Sequence, residues 1–436
     1  MRTGLGDFDL MNASPAPRRL VVIGGGIGGT TVAKRLANHP GYDITLLDRQ
    51  NHYQFQPLLY QVATAALGSP DIATPIRFML RHARNVRVLQ AEVTGVDVER
   101  RVVRTSIGEV AYDTLVVAAG LEASYFGRNE WERHAPPLKT LADAALIRER
   151  VLEAYEYAEA IDDFREHARQ LTFIVVGGGP TGVELAGALM ELAQDALAQD
   201  FRRINPREAR VLLIEAGPRL MPMFDPSLSE SAKQELRRRG VEVRVNAKVT
   251  DITERGVFLG EEFVPAANVI WAAGVKSSPL GECLPAERDG IGRVKVEPDC
   301  SLAEHPEVFV IGDQAHYRPE GKAEALPAVG GVALQQGNHV ARQLRRDLAG
   351  KPRKPFSYFD RGQMATVTRH HAVVEVRKLR WAGVLAWFTW LAVHVVFLAG
   401  FRNRLTVVIH WVWTYLTLQR GSRLIVRSGR NPPPTP

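Results

Sequence analysis

Two glycine turns constrain this chain more than any other feature. LVVIGGGIGG carries Gly24, Gly26 and Gly29 in G-x-G-x-x-G spacing, and FIVVGGGPTG repeats the spacing with Gly177, Gly179 and Gly182. Each turn follows an apolar, strand-like run and leads into a helix-like run. Glycine is needed there because the backbone must approach a pyrophosphate closely, and the phosphate charge then meets the amides of a helix N-terminus. One copy is weak evidence. Two complete copies predict a chain that holds two dinucleotides, and two dinucleotides in one protein predict electron exchange between them.

The flanking residues extend this reading to an α/β fold with two Rossmann-like dinucleotide-binding domains. The first unit reads strand (20–23), turn, helix (about 28–38), then a strand from Tyr42 that ends in Asp48. An acidic side chain at that place can accept hydrogen bonds from adenosine ribose hydroxyls. VAYDTLVVAAG then reads as a buried strand ending in small residues, Ala118 to Gly120, which let the chain pass close to a cofactor. In the second unit VLLIE ends at Glu215, with residues 190–209 as extra helix and loop inside the crossover. A carboxylate at Glu215 binds a free 2′-hydroxyl and repels a 2′-phosphate, which favours NADH over NADPH; Arg219 nearby works against that preference. VIWAAGV (269–275) repeats the strand-then-small-residues pattern, and VFVIGDQA (308–315) ends in Gly312-Asp313, where a carboxylate can bond the ribityl chain of a flavin. A helix carrying Gln335 and Gln336 follows, then mixed strands over about 356–379.

At 436 residues, 45% hydrophobic and 24% charged, the chain is long enough for two or three domains of ordinary globular composition. The only cysteines, Cys283 and Cys300, form no C-x-x-C, so neither a metal cluster nor a disulfide framework is expected, and no metal is assigned. The net charge of +7 is concentrated at one end. From Arg377 to Pro436 there are nine Arg or Lys, no Asp or Glu, and five of the seven tryptophans. Tryptophan beside basic residues and long apolar runs points to a membrane interface over residues 377–430 rather than to nucleic acid. Residues 381–401 are uncharged at neutral His394 and long enough to span a bilayer, but basic residues stand at both ends, which favours a monotopic anchor. A single span over 381–401 is the alternative, and a dimer interface would also bury such residues. The expected division is a flexible tail at 1–17, one dinucleotide domain at 18–135 and 290–350, the other at 136–289, and a C-terminal membrane-anchoring region at 351–436.

The motifs VVIGGGIGG, NHYQFQPLLYQVAT (51–64), YDTLVVAAG, VVGGGPTGVELAGAL, VFVIGDQA, VALQQG (332–337) and AWFTWLAVHVVFLAGFRNR (386–404) stand in one order along the chain. In this the chain resembles the type II NADH:quinone oxidoreductases, single-subunit, non-proton-pumping NADH dehydrogenases of the respiratory chain. The resemblance implies FAD in the first site and NADH in the second, and a membrane quinone, ubiquinone or menaquinone, as acceptor. It also implies a homodimer on the cytoplasmic face of the bacterial inner membrane. For the cofactors it implies Gly24, Gly26, Ile27, Gly28, Gly29, Asp48, Arg49, Gln56, Val93, Ala119, Gly120, Gly312, Asp313 and Ala333 in the first site. In the second it implies Gly177, Gly179, Thr181, Gly182, Glu184, Glu215, Ala273 and Gly274. It places Glu184 near the contact of flavin and nicotinamide, and Gln335 and Gln336 near the flavin ring where quinone approaches. Two departures from the family pattern stand out: Gly330-Gly331 where the family often has Ala-Gln, and Thr368 in place of a glycine.

In the mechanism this implies, hydride passes from NADH to flavin N5 and two electrons then pass to the quinone. Quinone reduction needs protons, so a carboxylate with a raised pKa is expected, with Glu184 the candidate. Residues 51–90 hold no cysteine pair, which argues against a disulfide reductase. The runner-up readings are a flavin-dependent NADH reductase of a soluble acceptor and a flavin-holding redox-signalling protein.

Overall fold

The computed structural model describes residues 16–426, and within them the chain forms two compact units, each built from separated stretches. The expected N-terminal tail lies outside the described residues except for its last two, and so does the Pro-rich end.

The first unit comprises residues 16–53, 75–121 and 276–358. Its centre is a five-stranded parallel sheet in the order Val308–Val310, Thr114–Val117, Arg18–Ile23, Tyr42–Asp48, Val86–Gln90. Val22 faces Leu46 on one side and Val116 on the other. Strands inside a parallel sheet are covered on both faces, so they read as unbroken apolar runs. The helices Ile27–Arg35 and Gly330–Leu348 pack together so closely that a Cβ at Gly337 would lie 2.7 Å from the Gly28 carbonyl oxygen.

The second unit comprises residues 54–74, 122–275 and 359–426. Its parallel sheet runs Glu242–Arg244, Arg210–Ile214, Thr172–Val176, Asn268–Trp271. Val175 faces Leu213 and Ile270. Trp271 anchors the core, with Tyr125 stacked on it at 5.1 Å. The charged stretch expected as helix over 140–169 is two helices, Leu141–Ala160 and Phe164–Gln170, and Asp163 caps the second. The insert at 190–209 opens with a π-helical turn, Leu192–Ala196.

The C-terminal strands sit at Gln363–Thr368, His371–Val376 and Leu379–Gly383, later than the expected 356–379. Two helices follow, Val384–Phe397 and Phe401–Thr417. The apolar run 381–401 is therefore not one helix. Its first residues complete a strand, and Gly400, at φ +86°, turns the backbone out of the helical path before the second helix starts. No described helix is long and apolar enough to cross a membrane, so the alternative of a single span over 381–401 is set aside.

Candidate functional site

In the first turn Gly24 has φ +99°, and a Cβ there would stand 2.3 Å from the Ala118 carbonyl oxygen. A Cβ on Gly29 would stand 1.9 Å from the oxygen of Gly24. These are the close approaches that only glycine allows. Gly26 differs. It caps the helix Ile27–Arg35, and a Cβ there would meet nothing within 4 Å, so the space in front of the helix amides is open. Asp48 holds the turn: Oδ2 accepts the Gly25 N–H at 2.5 Å and Oδ1 the Gln50 N–H at 2.6 Å. Burial raises its carboxyl above the usual range.

Other predicted residues of the first site gather around this turn. Gly28 packs on Ile311, Ile27 lies beside Gly330, and the Ala119 N–H donates to Gln314 Oε1. Gly312 sits against Ala333 and donates its N–H to Gln336 Oε1 at 2.7 Å. Gln336 is 0% exposed, yet its Nε2 has no hydrogen-bond partner within the chain. A buried amide N–H left open is costly, so it marks a place for a guest with an acceptor. Asp313 and Gln335 are half-buried, and Arg49 is exposed. Gly120 follows Ala119 out of the sheet, while Val93 begins an antiparallel strand of the same unit. Gln56 belongs to the second unit.

The second turn repeats the first. Gly177 has φ +111°, with the backbone of Ala272 and Ala273 2.7 Å from a Cβ, and a Cβ on Gly182 would stand 1.9 Å from the Gly177 oxygen. Gly179 caps the helix Pro180–Glu191 and again faces open space. Glu215 takes the part of Asp48, accepting the N–H groups of Gly178 and Gly217, each at 2.6 Å. Each acidic residue thus spends one oxygen on the glycine turn and the other on the amide two residues after itself, and a lone pair on each oxygen remains for a ribose hydroxyl. Arg219 is committed to the carbonyls of Phe224 and Pro222, so its charge is held by its own loop. Thr181 is exposed at the start of the helix, Ala273 is half-buried, and Gly274 fits against Phe126.

Glu184 lies on the first turns of that helix and lines a partly open cavity of the second unit. Its walls combine aromatic side chains, Tyr60, Trp387, Trp390, Trp411 and Tyr415, with polar and charged ones, among them Gln61, Glu191, Asp195, Arg369 and Arg420. Glu184 receives one weak hydrogen bond, from the Thr366 N–H at 3.4 Å, and burial pushes its pKa up to about 8. At neutral pH it is mostly protonated and can donate. The opposite wall is tied together by Trp411 Nε1 donating to Gln61 Oε1 and Gln61 Nε2 to the Tyr60 hydroxyl, each at 2.8 Å. Arg420, 6% exposed, bonds the carbonyls of Thr64 and Ala188 and pairs with Glu191 at 3.4 Å. Trp390 is 1% exposed and stacks on His394, and its Nε1 has no partner.

Of these wall residues the sequence singled out only Glu184 for chemistry; Tyr60 falls in the motif at 51–64 without a role of its own, and Glu191, Tyr415 and Arg420 lie outside the motifs. Thr368, the second departure, is buried beside a register shift in its strand pair and donates to Glu235 at 2.5 Å. Aromatic faces beside polar groups and a neutral acid suit a planar ring whose oxygens must be protonated. The two cysteines do not suit thiol chemistry together: Cys283 is exposed, while Cys300 is buried and its thiol is pushed to higher pKa by burial.

A family model described as pyridine nucleotide-disulphide oxidoreductase matches residues 18–337. The type II NADH:quinone oxidoreductase NdhA of Mycobacterium tuberculosis is 42% identical over 425 residues, covering 93% of this chain and 89% of its own. Its relative Ndh from the same organism is 40% identical over 427 residues, covering 94% and 91%. Among solved structures, NDH2 from Plasmodium falciparum in complex with NADH superposes with a TM-score of 0.84 at 19% identity, over 94% of this chain and 100% of that one. A sulfide:quinone oxidoreductase from Aquifex aeolicus gives a TM-score of 0.69 at 20% identity, over 89% and 92%. At these identities the structural matches speak for the fold.

Proposed function

This chain belongs to the type II NADH:quinone oxidoreductases and to the wider pyridine nucleotide-disulphide oxidoreductase family, and from that premise we propose that it oxidises NADH and reduces a membrane quinone through FAD, in the respiratory chain and without pumping protons. The observation that carries the reading is Glu184. A carboxyl protonated near neutrality lines a cavity of aromatic and polar side chains, on the same helix that the second glycine turn opens.

Bound FAD would supply the acceptor for the hydride of NADH and the two electrons that the quinone takes up. The first unit fits it: the amides ahead of Ile27–Arg35 would hold the pyrophosphate, Asp48 a ribose hydroxyl and Asp313 the ribityl chain, and the unpartnered N–H of Gln336 would find an acceptor on the cofactor. The second unit holds NADH the same way, with Glu215 at the adenosine ribose. Glu184 donates a proton to a quinone oxygen, and the aromatic side chains among the walls hold the ring. The experiment is an anaerobic titration with NADH followed by short-chain quinones. NADH should bleach the flavin within milliseconds and quinone should restore its colour. Slow bleaching with a long-lived charge-transfer band would favour the signalling reading, and a colourless protein that takes up no FAD would end both.

The proposal extends to the membrane. Leu385, Phe388, Phe397, Phe401, Leu405, Ile409, Trp413 and Leu416 on the last two helices are exposed, while Trp387, Trp390, His394, Val407 and Trp411 point inward. These helices need no polar side, because the face turned from lipid is buried in protein. Lipid contact would contribute roughly 1.5–3 kcal/mol for each large side chain fully buried. The basic residues Arg377, Lys378, Arg402 and Arg404 would add about 1 kcal/mol each at an anionic surface. We place the protein monotopically on the cytoplasmic face of the bacterial inner membrane. The homodimer is the competing cover for the same helices. Flotation with anionic vesicles, followed by sizing in detergent, separates the two. Release by high salt alone would overturn the hydrophobic anchor.

A further inference from the structure

The net reaction, NADH + H⁺ + quinone → NAD⁺ + quinol, takes one proton from solution. A Glu184 that gives its proton to the quinone must therefore be reloaded in every turnover. The cavity it lines continues along its own helix. Positions 184, 188, 191 and 195 follow at spacings of four, three and four residues, which sets them on one helical face, and all four line the cavity. Ala188 leaves that face clear between Glu184 and Glu191, whose Cα atoms are about 10 Å apart along the axis.

After Glu191 the backbone widens into the π-helical turn Leu192–Ala196, a geometry frequent at functional sites, and that turn carries the half-buried Asp195. Tyr60 lines the same cavity as Glu184 and Glu191. Its buried hydroxyl is pushed to higher pKa by burial first, then by the charge of Glu184 and, further down, of Glu191, so it lies in the field of both. Its oxygen accepts from Gln61 and its own proton is left to give. Around Glu191 stand the Arg420 guanidinium, the Arg369 N–H, Arg239 and Asp195, and burial still lifts its carboxyl above the usual range. Trp390 Nε1, buried and unpartnered on the same wall, is a separate sign that the cavity takes a polar guest.

We propose that Asp195, Glu191 and the Tyr60 hydroxyl form a proton-conducting row that reloads Glu184 from solution, with Arg420 positioning Glu191. This rests on the quinone reading above. In each passage Glu191 protonates the Tyr60 oxygen as Tyr60 gives its own proton to the Glu184 carboxylate, over a water where the gap exceeds hydrogen-bond reach. Asp195 then returns a proton to Glu191. No electrons move along the row.

Ferricyanide tests this because it accepts electrons and takes up no proton. The FAD-loaded protein and its Glu191→Gln and Glu191→Asp variants are compared at saturating NADH, as the ratio of quinone to ferricyanide turnover, in H₂O and in D₂O. Glu191→Gln should lower the ratio at least about tenfold and enlarge the D₂O effect on quinone turnover, and Glu191→Asp should restore most of the ratio. A ratio within about twofold of the parent, a loss shared equally by ferricyanide, or an unchanged D₂O effect overturns the row. If Glu191→Gln fails to hold flavin, Tyr60→Phe, which removes one oxygen, decides by the same readouts. A parent protein that reduces ferricyanide but no quinone overturns the underlying reading instead.

Discussion

The two glycine turns are built alike to within a few tenths of an ångström, yet the helices behind them differ. Gly29 and Gly182 meet the same obstruction at the same 1.9 Å, and an acidic residue holds each turn through a backbone amide. The helix Ile27–Arg35 then carries no carboxylate. The helix Pro180–Glu191 carries Glu184 and Glu191 into a cavity. What is shared is what a pyrophosphate demands of any backbone. What differs is where proton chemistry can occur, so repetition marks binding and divergence marks reaction.

The comparison breaks most sharply at its tightest points. Gly29→Ala and Gly182→Ala both push a methyl into a backbone oxygen that cannot move away. Gly29→Ala should yield protein without flavin. Gly182→Ala should keep its flavin and raise KM for NADH by about 100-fold or more, a loss above 2.7 kcal/mol. Equal flavin loss in both variants would contradict the assignment of one cofactor to each turn.

Next in size is Glu184→Gln, which should lower quinone turnover about 100-fold while the rate of flavin reduction by NADH stays near that of the parent. Quinone turnover of the parent should fall as pH rises through about 8, as the acid form is lost. Stability carries the same sign. The folded protein holds this proton more tightly than the unfolded chain, so the contribution is full below the ordinary carboxyl range and is lost as pH rises through about 8. Glu184→Gln should therefore melt at least about 2 °C above the parent at pH 9, with the gain vanishing towards pH 5. A gain that is constant with pH would place the proton elsewhere.

Asp48→Ala and Glu215→Ala each strand two backbone amides, a loss of about 1–3 kcal/mol. The first should appear as weaker FAD retention and the second as a higher KM for NADH. The smallest effect on the fold belongs to Gly26→Ala and Gly179→Ala. A methyl there enters open space, so the melting temperature should stay within about 1 °C while cofactor affinity drops. A large drop in melting temperature would show that the space is needed by the chain itself.

This pattern also explains what could be read from the sequence. A glycine turn, its strand and the acidic residue after it are local, so both turns, Asp48 and Glu215 were legible, whereas Glu184 came only through the family resemblance. Gly383 and Gly400, each at positive φ, were the local signs that the run 381–401 would break, and length masked them. The cavity was not legible, because Tyr60, Glu191, Trp390 and Arg420 meet only through tertiary packing. Nor could spacing show that Asp48 and Glu215 brace the turns, since that depends on which amides face them.

The strand Val308–Val310 closes the first sheet against Thr114–Val117, and the C-terminal segment joins residues 54–74 in the second unit. During synthesis, the early strands must wait for roughly 190 residues to emerge, on the order of 10–40 s at ~5–20 residues per second. For that interval the apolar edge of Thr114–Val117 has no neighbour. A ribosome that stalls in that window leaves a sticky half-sheet, so chaperone demand should peak well before termination.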